Sequence, residues 1–141
     1  MTTAELHAHT ARINDATYAA WNAHDADAVV SIFAEDAVMR EPNSGIEHRG
    51  RTAIRDRAVM LLRAFPDFRL DKVVLLIDGY RHADRWVMSG THLGELFGIP
   101  PTGRKVRIEG CTFTTLDEGG LVIEDVHFTD NAALAAQLGI G

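Results

Sequence analysis

The chain of 141 residues contains one cysteine, Cys111. A lone thiol closes no internal disulfide and builds no thiolate-rich zinc site, so a reducing compartment, the cytoplasm, is expected. Basic residues are in deficit, with 14 Lys and Arg against 20 Asp and Glu and a formal net charge of -6. A nucleic-acid binder needs a basic face to displace counterions from phosphates, and an anionic membrane surface asks for the same; neither is an expected partner. No stretch approaches the ~18 to 20 apolar residues that span a bilayer, and no apolar run follows a basic one near the first residue, so neither insertion nor secretion is expected. A Gly-rich phosphate loop between strand and helix is missing, as is a Gly-x-Ser-x-Gly elbow; nothing marks a nucleotide, a flavin or acyl transfer. His7, His9, His24, His48 and His82 lack paired metal-ligand spacing with a third partner, so no metal and no cofactor is expected. Repeats, linkers and low-complexity segments are absent.

What is present suits one compact domain over residues 1–141, because 46% of the residues are apolar and a chain of this length buries a sizeable core without splitting. From Ala4 to Phe33 the apolar residues Leu6, Ile13, Tyr18, Trp21, Val29, Ile32 and Phe33 recur at mostly helical spacing, which predicts two helices broken at Asn22-Ala23-His24-Asp25. Asp25 is the expected N-cap of the second helix, which should run to about Ala34. Ala37 to Glu41 reads as a short strand ended by the turn residues Pro42-Asn43-Ser44-Gly45. A third helix is predicted from Arg51 to Phe65, stopped by Pro66.

The second half changes character. Arg69 to Ile77, Arg85 to Leu93, Lys105 to Leu116 and Leu121 to Thr129 are β-prone runs, separated most clearly at Asp78-Gly79 and Asp117-Glu118-Gly119-Gly120. Asn131 to Leu138 forms a last short helix with Gly139 as its C-cap. Helices gathered before a meander of strands imply an α+β fold, with the helices covering the concave face of a curved mixed or antiparallel sheet. Such a cone can hold a small apolar or aromatic molecule at its open end.

Five stretches carry a resemblance: Trp21-Asn22-Ala23-His24-Asp25, Phe33 to Val38, Ala64-Phe65-Pro66-Asp67-Phe68, Gly90-Thr91-His92 through Pro100-Pro101-Thr102-Gly103-Arg104, and Ile123 to Asp130 with Gln137-Leu138-Gly139. In this order they resemble the SnoaL-like polyketide cyclases, of the nuclear transport factor 2-like superfamily, over nearly the whole chain. The resemblance implies the α+β cone of that superfamily and a cofactor-independent intramolecular aldol cyclisation of an aromatic polyketide ester. It further implies a side-chain base for a carbon proton and a pocket that stabilises the enolate. The family's cyclases use an Asp on the last strand and a His on the strand before it; the same alignment puts His127 at the first position and Thr112 near the second. Related members imply other outcomes: hydroxylation-associated or ligand-binding proteins, and steroid isomerases or dehydratases.

The candidate catalytic residues are therefore His127, Asp125, Asp130 and Glu41. A neutral imidazole suits proton abstraction near pH 7, so His127 is the expected base; Asp125 and Thr129 share its face because strand side chains alternate, and Asp125 is expected to orient the imidazole and fix its tautomer. Asp130, just past the strand, matches a family Asp and is also a natural cap for the last helix. Glu41, before Pro42, falls where the resembling steroid isomerases carry their proton-shuttling Asp. His92, Tyr18, Trp21 and Thr112 are the candidate substrate-binding residues. The basic run Arg104, Lys105 and Arg107 reads as a solvated strand edge. An open sheet face is commonly buried against a twin subunit, so a homodimer is expected.

Overall fold

The structure, a computed structural model, describes residues 1–140. Helix α1 spans Thr3–Asn22 and opens with the Thr2 hydroxyl accepting the Glu5 N–H at 3.1 Å. Its buried positions Thr10, Asn14, Tyr18 and Trp21 recur every three or four residues, so one stripe of the helix faces inward and carries polar atoms with it. Asp25 caps α2, Ala26–Ser31, by accepting the Ala28 N–H at 3.0 Å. That helix stops short of the expected Ala34. Phe33 and Ala34 are instead the first residues of strand β1, Phe33–Glu41, where Phe33 pairs beside Val122 and fills the core. The Pro42-Asn43-Ser44-Gly45 turn, with Gly45 at φ 67°, leads not to a loop but to a short strand β2, Ile46–Arg49, antiparallel to β1. Helix α3, Gly50–Ala64, follows, with Ile54, Ala58 and Ala64 buried.

Strands β3, Arg69–Asp78, β4, Arg81–Thr91, β5, Lys105–Leu116, and β6, Val122–Thr129, complete one six-stranded sheet of order β2-β1-β6-β5-β4-β3. The meander β3 to β6 is antiparallel throughout, and β1 joins β6 in parallel, which makes the sheet mixed. Strand β4 begins at Arg81, four residues before the expected start, because Gly79 at φ 58° lets β3 turn straight back into it. Helix α4, Asn131–Leu138, is capped by Asp130 and closed by Gly139 at φ 74°.

The four helices pack on the curved, open sheet, giving the α+β architecture expected from the sequence. Burial of apolar surface holds the layers together. One cluster joins Trp21, Phe65, Phe68, Trp86 and Leu138; a second joins Phe33, Met39, Ile54 and Val122 around β1. Among the described residues no helix is long and apolar enough to cross a membrane.

Candidate functional site

Between the helices and the inner face of the sheet lies a cavity of about 420 Å³. Strand alternation decides what the sheet contributes. On β4 the inward residues are His82, Asp84, Trp86 and Met88; on β5 they include Ile108, Thr112 and Thr114; on β6 they are Asp125, His127 and Thr129. The registers Asp84↔Thr112↔His127 and His82↔Thr114↔Asp125 align these side chains in two adjacent rows. Parallel pairing of Met39 with Asp125 and of Arg40 with Val126 brings Glu41 beside His127. A polar band thus crosses an otherwise apolar wall formed by residues such as Trp21, Phe68 and Ile108.

Threonines fix the orientation of the two central groups. The Trp86 indole N–H donates to Thr112 Oγ1 at 2.9 Å, and the same oxygen lies 2.9 Å from His127 Nδ1. The Thr112 oxygen accepts the indole proton and has a second lone pair, so it either donates to His127 Nδ1 or accepts from it, and the contact is compatible with the imidazole hydrogen on either ring nitrogen. His127 Nε2 is buried and unpartnered. Its nearest carboxylate atom, Asp125 Oδ2, is 3.7 Å away, beyond hydrogen-bond reach. Asp125 Oδ1 accepts from Thr114 Oγ1 at 2.6 Å.

Burial then separates the two titrations. It raises the Asp125 carboxyl to about 7, partly offset by the Thr114 hydrogen bond and reinforced by the charge of Asp84. It lowers His127 to about 3, assisted by the positive charge of Arg57. At neutral pH the imidazole is uncharged, and Asp125 exchanges its proton where catalysis would need it.

Glu41 lines the cavity with both oxygens engaged. Arg57 Nη2 donates to Oε1 at 3.0 Å and His48 Nε2 lies 2.8 Å from Oε2. Burial works to raise this carboxyl, but Arg57 and His48 outweigh it and hold Glu41 at about 2, which makes it a fixed anion and a weak base.

Tyr18, Trp21 and Thr112 are all in the cavity wall. Tyr18 donates its hydroxyl to Asp84 Oδ2, and Asn14 Nδ2 donates to the same oxygen at 3.2 Å. Burial, then the bond to Asp84 and its charge, pushes the phenol well above its usual range. Two candidates lie elsewhere. Asp130 is exposed and spends its carboxylate on the Ala133 N–H at 3.0 Å, as the cap of α4. His92 is fully buried outside the cavity, its ring centroid 5.7 Å from that of Phe65 and its Nδ1 accepting the Thr102 N–H at 3.2 Å; it anchors the β4–β5 connection. Asn14 and Asp84 carry no signal in the sequence, and His82 stands out there only as a histidine without metal-ligand spacing. A strand start placed at Arg81 would have put His82 and Asp84 on the same face as Trp86. Among the described residues no group of His, Cys, Asp and Glu side chains is arranged to hold a metal ion.

The family model for SnoaL-like polyketide cyclases matches residues 11–138. AclR, a proposed hydroxylase from Streptomyces galilaeus, is 25% identical, with a TM-score of 0.79 over 98% of this chain and 87% of that one. IdmH, a proposed polyketide cyclase from Streptomyces antibioticus, is 27% identical, with a TM-score of 0.77 over 93% of this chain and 99% of that one. A SnoaL-like protein from Jannaschia sp. CCS1, at 18% identity, shares the fold with a TM-score of 0.85 over 95% of this chain and 94% of its own. No curated protein sequence matches the chain significantly.

Proposed function

We propose that this chain, which belongs to the SnoaL-like polyketide cyclase family, is a cofactor-independent enzyme that cyclises an aromatic polyketide-like ester by proton abstraction. The observation that carries the reading is the Asp125–His127 pair in the cavity wall, one group titrating at about 7 and the other held neutral. It reverses the roles expected from residue type alone. An imidazole that protonates only near pH 3 is a poor base, whereas a base is most effective when its pKa lies near the working pH. Asp125 is therefore the base. Its carboxylate takes the acidic carbon proton, and in the tautomer that carries its hydrogen on Nε2, the unpartnered ring nitrogen, His127 donates a hydrogen bond to the enolate oxygen. The nucleophilic carbon attacks the acceptor carbonyl, a C–C bond forms, and the new alkoxide recovers the proton from Asp125. Atoms are conserved, so the product is an isomer of the substrate.

The test is turnover of a panel of anthraquinone-type polyketide esters followed by product mass. An isomeric product is expected, with kcat/KM rising with pH and levelling above about pH 7, because Asp125 must be ionised to act. Asp125→Asn should reduce kcat by ~10²- to 10⁴-fold, the usual contribution of general-base catalysis. Asp84→Asn should move the acid limb to lower pH, since the charge of Asp84 helps raise Asp125. A rate indifferent to Asp125→Asn removes the assignment.

The likeness to AclR supports a second reading, in which the cavity holds a polyketide during hydroxylation. A product heavier by one oxygen, formed only with dioxygen and a reductant, would select it; loss of water would select dehydration.

The outward side of the sheet supports a homodimer. Leu76 and Phe113 are 67% and 53% exposed, Val74 is exposed beside them, and Phe113 meets Phe128 edge-on at 6.1 Å. A two-fold contact would bury this one apolar patch against its own copy.

A further inference from the structure

The cavity has a second polar end that the proton-transfer chemistry does not use. Asp84 is 7% exposed and lies on β4, with Tyr18 and Asn14 of α1 both donating to its Oδ2. Among the described residues no donor meets Oδ1, and no Lys, Arg or His forms an ion pair with the carboxylate. A buried charge left in this state is costly unless something completes it. Asn14 has the same deficiency. It is 2% exposed, its amide nitrogen is turned to Asp84 because a carboxylate can only accept, and its Oδ1 is consequently left buried without a partner. Asp84 Oδ1 thus faces the cavity as an acceptor without a protein donor, and the unpartnered Asn14 Oδ1 lies buried behind it.

We infer that the Asn14–Asp84 corner is a specificity subsite for a hydrogen-bond-donating hydroxyl on an aromatic ring of the bound ligand. The inference rests on the reading of the cavity as the site of a polycyclic substrate and adds what that substrate must carry. An acceptor without a donor selects a donor and rejects its methyl ether, since an ether leaves the Asp84 oxygen unsatisfied. The aromatic faces of Tyr18 and Trp86 border the corner and suit a flat ring. Lys72 Nζ, ion-paired with Asp15 at 2.7 Å, stands 5.1 Å from the centroid of the Tyr18 ring; a cation already sits at this end, so a neutral hydroxyl is assigned rather than an ammonium group.

The test is isothermal titration calorimetry of the purified chain with β-naphthol, its O-methyl ether and the β-naphthylmethylammonium ion. β-Naphthol is expected to bind about tenfold or more tightly than the ether, the discrimination typical of a lost hydrogen bond to a charged group. Asp84→Asn, with its fold checked by thermal melting, should reduce that preference to a few-fold. Equal binding of phenol and ether by the unaltered chain overturns the subsite, as does no binding of either; tighter binding of the ammonium ion overturns its assignment to a hydroxyl. The catalytic reading fails separately. Discrimination without any turnover keeps the subsite and removes Asp125 as base, whereas turnover without discrimination does the reverse.

Discussion

Asp125 and His127 stand two residues apart on β6, yet burial moves their titrations in opposite directions, and folding stability must register both. Asp125 rises from 3.8 to about 7, so between roughly pH 4 and 7 the folded chain holds a proton that the unfolded chain has lost. Its contribution is present at low pH and disappears as pH rises through that window, at about 1.4 kcal/mol per pH unit for a whole proton. His127 falls from 6.5 to about 3, so its contribution is present above 6.5 and lost as pH falls toward 3. The two slopes nearly cancel between about pH 4 and 6.5. Urea unfolding at a series of pH values should therefore show Asp125→Asn gaining stability relative to the unaltered chain as pH rises, and His127→Gln losing it. Parallel curves for all three proteins would contradict the opposed shifts. Residue type could not disclose this exchange of roles. The shifts come from enclosure by α1, α3 and the sheet, which no local pattern encodes.

At the scale of elements, most of the fold was legible because hydrophobic period, caps and turn residues agree. Asp25, Asp130 and Gly139 cap where the sequence places them, and β5 and α4 have their expected limits. Departures occur where long-range pairing outweighs local preference. Phe33 and Ala34 leave the helical pattern because β6 offers a partner, and Ile46–Arg49 is too short and polar to signal a strand without β1 beside it. Placing the start of β4 at Arg85 concealed His82 and Asp84 of the polar band, since Arg81-His82-Ala83-Asp84 reads as a charged turn until β5 is known to pair with it. Asp130 was weighed as both catalyst and cap, and α4 separates the two. Asp130→Ala should lower stability by about 1 kcal/mol, the usual effect of deleting an N-cap, and leave kcat unchanged. A large fall in kcat at an unchanged melting temperature would restore it to the chemistry.

Across the whole molecule, the cavity and the exposed apolar face lie on opposite sides of one sheet and can be perturbed separately. Phe113→Arg should convert the proposed dimer to a monomer in sedimentation equilibrium without altering ligand affinity, because the side chain points away from the cavity. An unchanged mass would place the subunit contact elsewhere or show that none exists. The chain has two tryptophans, Trp21 and Trp86, and both line the cavity. All indole fluorescence consequently originates at the ligand site, and Trp86 is linked through Thr112 to the His127 ring. The protein thus carries its own optical reporter, whose emission should respond to occupancy and to the state of that hydrogen-bonded chain with no added dye.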